Sequence, residues 1–191
     1  MKRISVILLC LFTISAIAQK LNLSDPAYLK NSVPTDNNGI VTFKKEINTK
    51  NNKSVVFNNA TQYIKQLIND SEIQDNSSRI TSIDESDGEI IARISENLYF
   101  ERRKWCTDVT RFNYQIIAKC QDNKLDITIW QISYQYGEGI SAFNYKAEEW
   151  ITDKYALNKK QNKLLKNVGK FRIFTIKRVK DILNGFESAL Q

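Results

Sequence analysis

The apolar positions of this chain follow two periods, and each change of period marks the edge of an element. Over 39–47 the pattern alternates, with Val41, Phe43 and Ile47 on one face, which predicts a half-buried strand. Upstream, the stretch 19–38 predicts an irregular lead-in. Asp25-Pro26 and Val33-Pro34 disfavour helix there, and Asp36-Asn37-Asn38-Gly39 is a turn signal. After a polar loop, Ser54 is placed to cap a helix that runs to about Asp70. Val56, Ala60, Tyr63, Ile64, Leu67 and Ile68 recur in it at three- and four-residue steps, the spacing of one buried face.

Four strand signals follow with no helix between them. The first, 79–84, closes on a Ser86-Asp87-Gly88 turn, and the second, 89–100, carries Ile90, Ala92, Ile94, Leu98 and Phe100 on one face. The third, 110–121, groups Phe112, Tyr114, Ile116, Ala118 and Cys120, and Asp122-Asn123 suits a tight hairpin. In the fourth, 124–136, Leu125, Ile127 and Ile129 share a face before Ile132 and Tyr134 take over the alternation. A switch from odd to even positions predicts a β-bulge near Trp130 and Gln131. The chain then returns to helical spacing. A segment over 147–157 is expected to place Trp150, Ile151 and Leu157 on one side. A second helix over 171–190 is expected to carry a stripe from Phe174 to Leu190. Consecutive strands with short turns form an antiparallel sheet, and helices set apart in sequence cover one face of it. The expectation is an α+β two-layer domain over 39–191, in the order β-α-β-β-β-β-α.

The first residues change the picture of where this domain works. Lys2 and Arg3 precede an uncharged apolar run over 4–17, and Ala16-Ile17-Ala18 has the small-x-small form that a signal peptidase reads. The reading is a leader over 1–18 with Gln19 as the mature N-terminus and a periplasmic or secreted destination. An uncleaved anchor is the alternative, but the run falls short of the roughly 20 apolar residues of a membrane span. Cys10 raises a lipoprotein reading, against which Leu9 stands where Gly or Ala is wanted. No later stretch is apolar enough to span a bilayer. Removing the leader leaves about 170 residues, the size of one domain with a real core. Hydrophobic residues make up 42% of the chain, with two prolines and six glycines, which argues against disorder.

Candidate chemistry is thin. The chain has no histidine, so a His base, a Cys-His or Ser-His pair and an imidazole metal ligand are all missing. Cys106 and Cys120 remain after the leader. Ten residues of extended strand between them span about 30 Å, so two unpaired thiols are expected. Glu148, Glu149 and Asp153 fall on the predicted Trp150 helix, where Glu149 and Asp153 at four-residue spacing could form an acid/base pair. The plainer reading is a solvated face paired with Lys154 or Lys146. Asp84, Glu85, Asp87 and Glu89 surround a glycine without the ligand spacing of a calcium loop, and read as a charged hairpin. There is no phosphate loop and no nucleophile elbow. Neither catalytic activity nor a cofactor or metal is expected.

Charge supplies the stronger feature. The formal net charge is +7, and Lys159, Lys160, Lys163, Lys166, Lys170 and Arg172 crowd one connection, interleaved with Leu164, Leu165 and Phe171. Such a segment suits an envelope protein or an anionic membrane surface as partner, or else a solvated loop whose leucines pack on the sheet. An exported chain meets little nucleic acid, and none is expected as partner. Tyr134, Tyr136 and Trp150, with Phe143 and Tyr145, could line a groove between sheet and helix for an apolar ligand, or simply pack in the core.

The run Ala147-Glu148-Glu149-Trp150-Ile151-Thr152-Asp153-Lys154-Tyr155-Ala156-Leu157-Asn158-Lys159-Lys160, then Asn162-Lys163-Leu164 and Gly169-Lys170-Phe171-Arg172, resembles an exported bacterial family of domains of unknown function, number 4468. The strand at Gly39 and the hairpin over 79–88 resemble it as well. The resemblance implies a TBP-like fold and no activity. Two functions are therefore expected to compete: a non-enzymatic binding or assembly module using the open sheet face or the basic connection, and a carrier of a small apolar ligand or lipid.

Overall fold

Among the described residues, six strands pair antiparallel into one sheet, and both long helices lie on the same face of it. The structure is a computed structural model that describes residues 21–70, 77–103, 106–137, 139 and 142–191. The expected leader over 1–18 lies outside the described residues. In chain order the elements are β1 (Phe43–Asn48), α1 (Lys53–Asn69), β2 (Arg79–Asp84), β3 (Glu89–Arg103), β4 (Cys106–Gln121), β5 (Lys124–Tyr136), β6 (Phe143–Lys146), α2 (Asp153–Ala156) and α3 (Lys166–Ala189). Single turns of 3-10 helix sit at Pro26–Tyr28 and Ala147–Glu149. The strand order is β1-β5-β4-β3-β2, with β6 also on β5.

The inward face carries the alternating residues that the sequence predicts. Ile90, Ala92 and Ile94 of β3, Phe112, Ile116 and Ala118 of β4, and Leu125, Ile127 and Ile129 of β5 are all buried. Against them α1 lays Val56, Ala60 and Ile64, and α3 lays Phe171, Val179, Ile182 and Phe186. The bulge falls where the alternation switches. Gln131 and Ile132 together oppose Tyr114, and Gln131 takes a positive φ of 53°. It has a topological use as well: β5 pairs β1 through Lys124–Ile129 below the bulge and β6 through Ser133–Tyr136 above it.

Several boundaries differ from the sequence reading, each for a physical reason. The α1 cap is Asn52, whose side chain accepts the Val55 N–H at 3.0 Å, rather than Ser54. Strand β1 begins at Phe43, while Val41 makes only an isolated bridge to Thr35. The hairpin of β3 and β4 runs on to Arg103 and Cys106, past the last apolar alternation. The expected helix over 147–157 is not continuous: a 3-10 turn at Ala147–Glu149 and the four-residue α2 take its place. Helix α3 starts at Lys166, five residues before the expected Phe171.

That early start follows from packing on two sides. The outer side of the first turns of α3 closes a second, smaller core of Ala156, Leu157, Leu164, Val168 and Ile173, joined by Leu21, Leu23, Tyr28 and Leu29. The described part of the lead-in, from Leu21, packs firmly on α3. Arg172 sits at the junction with 0% exposure. Its Nε donates to the Tyr28 carbonyl at 2.7 Å and its Nη1 to the Ile151 carbonyl at 2.8 Å. Its Nη2 reaches the Leu29 carbonyl, Ser32 Oγ and, at 2.6 Å, Asp153 Oδ1. One guanidinium thereby holds three segments, a task suited to a planar fork of donors. Arg172→Met should leave these carbonyls and Asp153 without their donor and cost about 3–5 kcal/mol. Urea unfolding measures this; a change under about 1 kcal/mol would show that the junction does not carry the fold.

Candidate functional site

The positions singled out by sequence separate into three groups once the chain is folded. Lys159 and Lys160 are exposed on a tight loop closed by a Leu157–Leu164 bridge and by the Asn158 N–H bond to the Lys163 carbonyl at 2.9 Å. Lys163 and Lys166 are exposed where that loop meets α3. Lys170 and Arg172, expected with them on a basic surface, do not belong there. A helix turns by 100° per residue, so the helix that begins at Lys166 rotates both inward. Arg172 is buried, as described. Lys170 Nζ donates to Asp108 Oδ2 at 2.6 Å and to the Tyr136 hydroxyl at 2.9 Å, and it stands 4.8 Å from the Phe100 ring centre. Burial pulls the Lys170 pKa down, but the bonds from Asp108 and Tyr136 outweigh it and the pKa is raised.

The expected aromatic groove is filled. Phe171 inserts its ring among Tyr134, Tyr136 and Trp150 at centroid distances of 5.2, 5.4 and 5.7 Å. Tyr145 stacks on Trp150 at 3.9 Å. Tyr134 is buried, and its hydroxyl lies 2.7 Å from Thr175 Oγ1. The cluster is core, because α3 reaches the sheet one turn earlier than its apolar stripe suggests. Two of the three candidate carboxylates are spoken for too. Glu148 accepts the Val41 N–H at 2.9 Å, and Asp153 accepts the Asn31 N–H at 2.8 Å besides pairing Arg172. With the helix broken between Glu149 and α2, Glu149 and Asp153 share no helical face. Asp84 closes its hairpin by accepting the Asp87 N–H at 2.9 Å and the Ser86 hydroxyl at 2.7 Å, as a charged turn should.

What the sequence did not delineate is a cleft of about 690 Å³ at the start of α3. The lead-in gives Leu21 and Leu23, the end of β3 gives Phe100, Glu101 and Arg103, and β4 gives Asp108. The loop and α3 add Lys163, Leu164, Lys166, Lys170 and Phe174. Its volume falls within the roughly 300–1,000 Å³ of small-molecule sites. Leu21, Leu23, Leu164, Phe100 and Phe174 make an apolar floor. The rim charges are unequal: Arg103 pairs Glu101 at 2.5 Å and Lys170 pairs Asp108, while Lys163 and Lys166 make no ion pair among the described residues. No side chain caps α3 and no acid stands in its first turn, so the positive helix end adds to these two lysines. Three of the residues named from sequence, Lys163, Lys166 and the Lys170 already paired with Asp108, thus reach a cavity. Its floor was out of reach because it joins residues far apart in the chain.

The opposite, uncovered sheet face is mixed rather than apolar. Ile91, Ile117 and Trp130 stand half-buried among Arg93, Asn113, Gln115, Thr128 and Ser133.

A one-sided antiparallel sheet under two helices defines an α+β protein of TBP-like class, and the comparisons name the family. Residues 43–135 match the family described as a domain of unknown function (DUF4468) with TBP-like fold. A DUF4468 family protein from Bacteroides ovatus, known from a crystal structure, is 32% identical. It superposes with a TM-score of 0.78, covering 87% of this chain and 94% of that one. This chain belongs to that family. A TBP-like protein from Parabacteroides distasonis, 24% identical, shares the fold with a TM-score of 0.66 over 83% of this chain and 97% of its own. No curated protein matches the chain. Among the described residues, no helix is long and apolar enough to cross a membrane.

Cys120, the one described free thiol, is buried on the inward face of β4. Burial pushes its pKa up to about 12. A raised thiol pKa keeps the group neutral, so its contribution to stability holds below about pH 9 and is lost as pH climbs toward about 12. Cys106 lies on the same strand, and its side chain is outside the described residues. In a Cys10→Ser, Cys106→Ser background, Cys120 should resist a disulfide reagent near about pH 8 and react only on unfolding. Native reaction at the rate of free cysteine would contradict its burial.

Proposed function

We propose that this chain is exported through a bacterial inner membrane, loses residues 1–18, and acts in the periplasm or beyond as a non-enzymatic binding protein. Its ligand enters the cleft at the start of α3. Export rests on the sequence: Lys2 and Arg3, the apolar run over 4–17, and the small residues Ala16 and Ala18. The observation that carries the binding reading is the make-up of the cleft. Its apolar floor is open to solvent beside two cations that no carboxylate among the described residues neutralises. A soluble surface ordinarily covers such a floor, and one left open between packed elements is where a ligand gains most from burial. The carrier reading therefore gains ground over assembly through the sheet face, where Ile91, Ile117 and Trp130 are surrounded by polar residues. Assembly keeps one specific support. Lys159 and Lys160 stand at the tip of an ordered loop outside the cleft, a position that suits an envelope protein or an anionic membrane surface.

N-terminal sequencing of the protein from its native cell fraction should return Gln19 as the first residue; an intact Met1 in the inner membrane would refute export and cleavage. Native mass spectrometry of the protein isolated from its own envelope should show a bound small molecule that organic extraction removes. Recovery instead of one envelope protein, lost on Lys159→Glu with Lys160→Glu, would establish the assembly reading. Bare protein without any partner would refute both.

A further inference from the structure

The cleft at the start of α3 also specifies the kind of molecule that fits it, given its reading as a ligand site. We propose that it takes an anionic amphiphile, with one hydrocarbon chain on the floor and a carboxylate or phosphate head against Lys163 and Lys166. The division of the lining carries the argument. Leu23, Leu164, Phe100 and Phe174 offer hydrocarbon with no hydrogen-bonding partner among them, so that part of the ligand is an apolar chain. A sugar or nucleotide would find no converging donors and acceptors on that surface.

The rim fixes the sign of the head. Glu101 and Asp108 are already neutralised by Arg103 and Lys170, at 2.5 and 2.6 Å. Lys170 is further held by Tyr136 and three aromatic rings, so it closes the inner wall rather than reaching for a ligand. Lys163 and Lys166 are what remains: exposed, beside the apolar floor and without an ion pair among the described residues. Two long, mobile ammonium groups suit a head that stays at the solvent edge, whereas a fixed guanidinium fork would suit one drawn inside. A neutral amphiphile satisfies the floor and wastes the rim; a bare anion does the reverse.

Titration calorimetry on the purified protein tests this, with monomeric laurate, its neutral glyceryl monoester and inorganic phosphate as probes. Laurate should bind one to one, about tenfold or more tighter than the monoester, and lose affinity as salt rises. Phosphate alone should bind far more weakly than laurate. Lys163→Glu with Lys166→Glu, both at exposed positions, should weaken laurate about tenfold and leave the monoester unchanged. Equal affinity for laurate and monoester would overturn the anionic head while leaving the cleft a binding site. Phosphate as tight as laurate would overturn the amphiphile and point to a free anion. Sedimentation with phosphatidylglycerol vesicles, without binding of monomeric laurate, would overturn it in favour of membrane-surface docking. Failure of all probes while native protein still carries an extractable molecule would overturn this ligand class alone.

Discussion

Three stretches of chain that have no sheet or long helix of their own are held in place by one buried guanidinium. Arg172 leaves water completely, a costly move for a charge, and the cost is offset only because carbonyls, a hydroxyl and a carboxylate meet it from separate segments. The position of the lead-in, the turn at Ile151 and the orientation of α2 all depend on it. The cleft depends on it indirectly, since Leu21 and Leu23 reach the floor only while the lead-in stays docked. A second ion pair, the bidentate one between Arg178 and the buried Glu96, ties the same helix to β3 further along, at 2.9 and 2.7 Å. Helix α3 is thus fixed by charge on one turn and by hydrocarbon on the next.

The sheet contributes a division of labour set by the bulge. Below Gln131 the inward face of β5 is purely aliphatic; above it the aromatic residues gather round Phe171. Tyr134, Tyr136, Tyr145 and Trp150 all meet that one ring, in mostly edge-to-face contacts of the kind aromatic quadrupoles favour. This packing turns a prospective groove into core. The opening lies beside that cluster instead, at the start of α3, where Phe100 of β3 and Phe174 meet Leu21 and Leu23 of the lead-in.

Strands and core were legible in the sequence because alternation is local: each strand declares its buried face within a few residues, and even the bulge leaves a mark as a change of phase. The two-layer α+β class followed from element order, and the TBP-like fold from the family resemblance of the run over 147–172. Helix ends were less legible. Lys166, Asn167 and Lys170 look solvated by composition, and the satellite core beneath their turn is completed by Leu21, Leu23, Tyr28 and Leu29, more than a hundred positions earlier. The site was half legible for the same reason. Periodicity shows that a lysine is polar but not whether a carboxylate from another strand will meet it. Asp108 claims Lys170, and Asp153 with the lead-in carbonyls claims Arg172, leaving Lys163 and Lys166 as the pair that stays open.

The docking of the lead-in sets an order on how the molecule is completed. The carbonyl of Tyr28 and the guanidinium that receives it are separated by 144 positions, so the first described segment has no permanent place until almost the whole chain is present. Contacts of such long range form late, after the loop-closure entropy has been met by the sheet. While the polypeptide is still emerging, the lead-in residues 21–32 therefore stay untethered and accessible. The last helix acts as a latch that shuts on them only when the chain is whole.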